Sequence, residues 1–339
     1  MSTQPRPVGP LHKVLVTGAS GLLGAGVARE LVERNLQVVT LQRRPSGVAG
    51  ATDIEGSVTD PAAVRAAVAG CDTVVHIAAK VSVSGPAHEY DQVNVEGTRN
   101  VVTAAQDAGV ERFIQISSPS VAHAGNSIIG EGAGPADPAA ARGHYARTKA
   151  AGELIALGAD SPHFRVLALR PHLMWGPGDT QLTQRIVDRS RQGRMPVLGP
   201  GAALVDTLYT SNAVDAVLAA IHAVDHTHGE ALVVTNAEPR PIGELIRGLA
   251  RAGGSPEPRL HLPAGLAKVA GAVIERIWEL PVAGGKDRDD EPPLTKFLAE
   301  QLSTAHWFDQ RRTQQVLRWR PAVSIDEGLA LLTEYYRMR

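Results

Sequence analysis

The chain has 339 residues, 43% apolar and 20% charged, enough to bury a large core and too apolar for a disordered polymer. A formal net charge of −1 lacks the basic excess that phosphate backbones demand, and the short clusters Arg43-Arg44 and Arg311-Arg312 do not make a duplex-binding face, so nucleic acid is excluded as the main partner. Cys71 is the only cysteine, the start Met1–Pro10 has no apolar signal core, and no run approaches about eighteen apolar residues, so a soluble, cytoplasmic protein is expected.

The β-branched run Lys13–Val16 reads as a strand, followed by a glycine-rich turn and an apolar-periodic helix to about Leu36. Further strands are expected at Gln37–Leu41, Asp72–Ile77, Arg112–Ile116 and Val166–Leu169, with helices at Pro61–Val68 and Asn94–Ala108 between them. Strands alternating with helices of this length need crossover connections, which predicts an α/β fold with a Rossmann-type, doubly wound parallel sheet. Later in the chain come an amphipathic helix, Asp179–Gly193, a proline- and glycine-rich stretch, Met195–Gly201, and strands at Val205–Tyr209 and Leu232–Thr235 that return to the sheet. An apolar helical stretch, Pro263–Leu280, precedes a charged loop, Gly284–Pro293. The expected division is a first domain over 11–172 with a return segment about 204–237, and a smaller, mostly helical C-terminal portion made of 173–203 and 238–339.

Gly18, Gly21 and Gly24 recur every third residue at the first strand-to-helix junction. A pyrophosphate needs close backbone approach there, and the helix start offers free N–H groups and the positive end of its dipole. Gly18, Ser20, Gly21, Leu22, Leu23 and Gly24 are therefore the candidate phosphate contacts of a dinucleotide, a plain tight turn being the alternative. The second strand ends Leu41-Gln42-Arg43-Arg44, with no acidic residue between Glu33 and Asp53. A carboxylate at that strand end favours a ribose 2′-hydroxyl, whereas a guanidinium grips a 2′-phosphate. Arg43 or Arg44 thus predicts NADP(H) over NAD(H), against a solvated loop, and makes the first domain the NADP-binding one.

Tyr145 and Lys149, four residues apart in a helical stretch to about Leu157, share one helix face. A free phenol titrates near 10, and a neighbouring ammonium, with the positive nicotinamide in the oxidised complex, is expected to lower that value and make Tyr145 a proton donor and acceptor. The strand Arg112–Ile116 ends in Ser117-Ser118-Pro119-Ser120, where a hydroxyl can bond a substrate carbonyl; a cap or turn role is the alternative. His222, His226 and His228 with Asp225 and Glu230 are read as a helix C-terminus rather than a metal site, so no metal is expected.

The TGxxGxxG turn and the YxxxK pair resemble the short-chain dehydrogenase/reductase family, and the length resembles its extended branch, the NAD-dependent epimerase/dehydratase superfamily. The resemblance implies Ser118, in an SSxxV pattern, as the catalytic serine, and Lys149 as a bond to the nicotinamide ribose. It also implies Ala78, in His76-Ile77-Ala78-Ala79, against the adenosine side, and the backbone of Pro171 and His172 at the carboxamide. Asn94 in NVEGT matches the family's NxxGT. Gly56-Ser57 departs from the family's Gly-Asp, with Asp60 three residues later.

Trp175-Gly176-Pro177-Gly178-Asp179, Leu204–Tyr209 and Asn236-Ala237-Glu238-Pro239 look like the 3β-hydroxysteroid dehydrogenase-like branch. Leu294-Thr295-Lys296-Phe297 and Gln301–Asp309 are similar to the bacterial 2-alkyl-3-oxoalkanoate reductases of long-chain olefin biosynthesis. This likeness implies a small hydrophobic substrate reduced with NADPH, and a homodimer by analogy. The residues Leu266, Val269, Val273, Ile274, Ile277 and Trp278 make an apolar helical face for a pocket, a membrane surface or a partner enzyme, with core packing the alternative. A steroid or sterol dehydrogenase, a nucleotide-sugar epimerase or dehydratase, and an NADP(H)-sensing binding protein are the competing functions.

Overall fold

The computed structural model of the chain describes residues 9–81, 85–123, 125–263, 265 and 303–339. Its centre is a seven-stranded sheet of β1 (Lys13–Thr17), β2 (Gln37–Gln42), β3 (Thr52–Glu55), β4 (Thr73–His76), β5 (Arg112–Ile116), β6 (Arg165–Pro171) and β7 (Glu230–Val234). The spatial order is β7-β6-β5-β4-β1-β2-β3, and every pairing is parallel. β4 and β5 are buried at every residue, as central strands of a parallel sheet covered on both faces should be. At the far edge lies β3, only four residues long, with Thr52, Asp53 and Glu55 exposed.

Helices cover both faces. α1 (Leu22–Glu33) shares one apolar core with the later helix Thr210–Ala223. α2 (Pro61–Val68), α3 (Gly97–Asp107) and α4 (Gly143–Gly158) lie over a second core containing Val64, Val101, Val102 and Ala156. α3 is preceded by a π-helical turn, Asp91–Glu96. α4 comes so close to that turn that a Cβ on Gly152 would lie 2.5 Å from the Asn94 carbonyl.

Two of the expected elements fall elsewhere. Of the return segment at 204–237, Glu230–Val234 does join the central sheet as β7, but Val205–Tyr209 does not. Leu204–Val205 pairs with Arg240–Pro241 and with His306, and Leu208–Tyr209 pairs with Met174–Trp175, so the backbone of this segment is satisfied in two small sheets. The helix expected from Asp179 begins at Thr183, as α5 (Thr183–Arg191). Asp179 instead accepts hydrogen bonds from the amides of Gln181, Leu182 and Thr183, capping the turn that enters the helix.

These shorter elements build a third core, in which Trp175, Ile186, Met195 and Tyr209 meet the helices Ile242–Ala252 and Ile325–Arg337. Most of Pro263–Leu280, and all of Gly284–Pro293 and Leu294–Phe297, lie outside the described residues. Among the described helices none is long and apolar enough to cross a membrane.

Candidate active site

The sheet order reverses beside β1, where β2 and β4 flank it on opposite sides, and a cleft of about 1260 Å³ opens at the strand ends there. Gly18 leaves β1 with φ +75°, and a Cβ there would press to 2.9 Å from the amide nitrogen of Ala78. The Thr17 hydroxyl accepts hydrogen bonds from the amides of Ile77 and Ala78, both at 3.1 Å, and so ties the loop after β4 to the glycine turn. His76 is buried between Thr17 and Thr98; burial, aided by the Lys149 charge, pulls its imidazole down to about 3 and keeps it neutral.

α1 starts at Gly21 with no side-chain cap and no acidic residue in its first turn, whereas Asp60 caps α2 and Ser324 caps the last helix. The uncapped start of α1, with Ser20, Leu22, Leu23 and Gly24 lining the cleft, fits a dinucleotide pyrophosphate. Ser57, Val58 and Thr59 line the same end, while Asp60 is spent on the Ala62 amide at 2.8 Å rather than on an adenine. Arg43 and Arg44 follow β2, both exposed at the cleft, and among the described residues they carry no ion pair or hydrogen bond from the guanidinium.

At the other end Tyr145, Ser118, Ser120, Pro171 and His172 line the cleft. Ser118 follows β5 and caps a short 3₁₀ turn, with its hydroxyl accepting from the Ser120 hydroxyl at 2.9 Å. Its own proton is left to donate, and Ser118 and Tyr145 are hydrogen-bonded side chain to side chain. Ser117 points away into the core, its hydroxyl unpaired among the described residues.

Lys149 by itself does not depress the Tyr145 phenol in the structure. Burial pushes it above its ordinary value, and the Ser118 bond offsets only part of that. The Lys149 amine is turned to the sheet, donating to the Ile116 carbonyl at 2.5 Å, and burial pulls its own pKa down to about 8. One turn further along α4, Glu153 accepts from Arg170 Nε at 2.9 Å and Nη2 at 2.6 Å, with both side chains 1% exposed. Arg170 also donates to the carbonyls of Ala133 and Gly134. Asn94 bonds the Lys80 amide at 2.7 Å and Thr148 on α4 at 3.0 Å, clamping the loop after β4 to the tyrosine helix.

His172 is buried at the end of β6. Its amide donates to Val234, its Nδ1 lies 2.8 Å from the Asp206 carbonyl, and burial together with His306 holds its pKa near 3. The histidines near the end of Thr210–Ala223 do not converge: His228 pairs with Asp160, Asp225 with Arg112, and Glu230 with Arg312. Sequence reasoning missed Lys80, paired with Glu89 at 2.5 Å, and Arg185 and Arg189, one turn apart on α5; all three line the cleft. Their i, i+4 spacing in Thr183–Arg191 was the available signal for the arginines.

Residues 14–235 match the NAD dependent epimerase/dehydratase family. The chain is 40% identical to a 2-alkyl-3-oxoalkanoate reductase of Stenotrophomonas maltophilia, over 94% of this chain and 98% of that protein. A 3-beta-hydroxysteroid dehydrogenase of Mycolicibacterium neoaurum is 30% identical over 96% of this chain and 92% of its own. Among solved structures, MoeE5 in complex with UDP-glucose and NAD superposes with a TM-score of 0.72 at 24% identity, covering 96% of this chain and 99% of that one. At that identity the likeness concerns the fold alone.

Proposed function

The chain belongs to the NAD dependent epimerase/dehydratase family, and from that membership we propose an NADP(H)-dependent oxidoreductase that reduces a carbonyl on a hydrophobic substrate. The reaction that fits best converts a 2-alkyl-3-oxoalkanoic acid to the 2-alkyl-3-hydroxyalkanoic acid. The observation that carries this reading is 40% identity over nearly the full length to a reductase of that name. The cleft agrees with it in part, since Leu173, Met174, Leu182, Ile186 and Met195 line it together with the polar Gln181, Arg185 and Arg189.

The glycine turn Gly18–Gly24, Arg43, Arg44 and Pro171 would hold NADPH, which would supply the hydride. Ser118 donates a hydrogen bond to the substrate carbonyl oxygen and stabilises the charge developing there. Tyr145, held protonated by its burial, delivers the proton to that oxygen. Lys149, one turn below with its pKa lowered to about 8, would have to turn its amine from the Ile116 carbonyl to support the tyrosinate left behind. Arg43 and Arg44, exposed beside the adenosine end, supply the charge a 2′-phosphate requires.

The deciding experiment follows NADPH oxidation with long-chain 2-alkyl-3-oxoalkanoic acids, 3-oxosteroids and nucleotide sugars. Turnover with the first class is expected; turnover confined to nucleotide sugars overturns the substrate assignment. The relative at 30% identity supports a 3β-hydroxysteroid dehydrogenase as second reading, and steroid turnover alone would select it. Equal kcat/KM with NADH and NADPH would remove the cofactor assignment.

A further inference from the structure

The arginines that meet the 2′-phosphate in this reading sit on an exposed turn, Arg43–Gly47, between β2 and β3. Arginines on a free turn lose conformational freedom when they grip an anion, so their affinity depends on what holds the turn in place. Among the described residues, both hydrogen bonds that carry this turn back to the sheet end on one carboxylate. Ser46 donates from its amide to Asp53 Oδ2 at 2.8 Å and from its hydroxyl to Asp53 Oδ1 at 2.6 Å. Asp53 is itself fixed on β3 by the Thr40 hydroxyl at 2.5 Å and by Gln42 Nε2 at 3.4 Å, both from the neighbouring strand β2. The Ser46 hydroxyl in turn accepts from the amide of Val48 at 3.1 Å, which closes the far side of the turn.

We propose that Asp53 is a positioning residue for cofactor selection: its carboxylate pins Ser46 so that Arg43 and Arg44 are presented, already ordered, to the 2′-phosphate. This role rests on the NADP(H) reading. Asp53 is not among the residues lining the cleft, and its oxygens are taken by Ser46, Thr40 and Gln42, so it offers no competing acceptor to a ribose. Ser46 does line the cleft, but its amide and hydroxyl protons are both committed to Asp53, which leaves the guanidinium groups to hold the phosphate.

Anchoring and plain electrostatics predict opposite signs. A carboxylate near a doubly charged phosphate repels it, so on charge alone its removal should tighten NADPH binding. If the carboxylate acts as an anchor, its removal loosens binding. Asp53→Ala and Ser46→Ala should each raise the ratio of the NADPH to the NADH KM about fivefold, and should weaken 2′,5′-ADP about fivefold relative to 5′-AMP by calorimetry. Ser46→Ala keeps the charge and the amide bond to Asp53 and removes the hydroxyl's bonds to Asp53 and Val48, so it separates the two causes and tests the anchor even where Asp53→Ala folds poorly. Unchanged ratios in Ser46→Ala, or tighter NADPH binding in Asp53→Ala, overturn the proposal. A wild-type enzyme that does not distinguish NADPH from NADH instead overturns the cofactor reading beneath it.

Discussion

Glycine-to-alanine changes in the phosphate turn separate what the fold needs from what the ligand needs. Inside a helix, replacing Gly by Ala normally stabilises by about 1 kcal/mol. At Gly24, in the first turn of α1, the new Cβ would stand 2.4 Å from the Gly18 carbonyl oxygen and 2.9 Å from the Ala19 Cα. Those are backbone atoms of the turn itself, so relief requires moving the turn. Overpacking of this kind costs about 1–3 kcal/mol or more and outweighs the helix gain. At Gly21 the backbone has φ −93°, open to any residue, and the nearest neighbour of a Cβ is the Gly18 oxygen at an ordinary 3.4 Å. Gly24→Ala should therefore melt about 4 °C below wild type and lose NADPH affinity as well. Gly21→Ala should melt within about 1 °C of wild type yet bind NADPH at least tenfold more weakly, because its methyl enters the cleft. Thermal denaturation read by circular dichroism, with NADPH titrated by fluorescence, checks both. A Gly24→Ala protein as stable as wild type would refute the close-approach argument.

Tyr145→Phe should lower single-turnover NADPH oxidation by about 10²–10⁴-fold while NADPH affinity stays within threefold; retained turnover would remove the proton-transfer role. Lys149 is titrated near 8 in the folded chain and near 10.5 unfolded, so the unfolded chain binds more protons between those values. Stability of the wild type relative to Lys149→Met should then rise by about 3 kcal/mol as pH climbs from 8 to 10.5, and stay level below 8, where both states hold the proton. Urea unfolding of both proteins at pH 7.5 and 10 measures it, a flat difference counting against the burial of the amine. Removing Glu153 strands the Arg170 guanidinium at 1% exposure, so Glu153→Ala should cost about 3–5 kcal/mol. The double variant Glu153→Leu/Arg170→Met should unfold at higher urea than Glu153→Ala, and the reverse order would show that the pair is not mutually compensating.

The sequence exposes the features that follow a local period. Strands β4 and β5 show as the short apolar pairs Val74-Val75 and Phe113-Ile114, and Tyr145 and Lys149 share a helix face through their spacing alone. β3 leaves no such trace: Thr52-Asp53-Ile54-Glu55 is polar because it is an exposed edge, and it forms through pairing with β2. Val205–Tyr209 is buried throughout like a sheet strand, yet its burial comes with two small sheets, and sequence pattern cannot tell one burying partner from another. The titration of Tyr145 also depends on distant segments. The neighbouring lysine predicts a lowered phenol, but desolvation is set by what packs around the ring, and Ile116 competes for the amine.

The strand that anchors the arginine turn also closes the sheet on that side. A parallel sheet that ended on an apolar strand would offer its unpaired amides and carbonyls to any neighbouring molecule. Here the last strand is four residues long and carries Asp53 and Glu55. A second chain adding itself alongside would have to set its own backbone against two negative charges over a very short ladder. Polymerisation through this border is thereby discouraged, and neutral β-branched residues at both positions would turn a solubility safeguard into a nucleus for fibres.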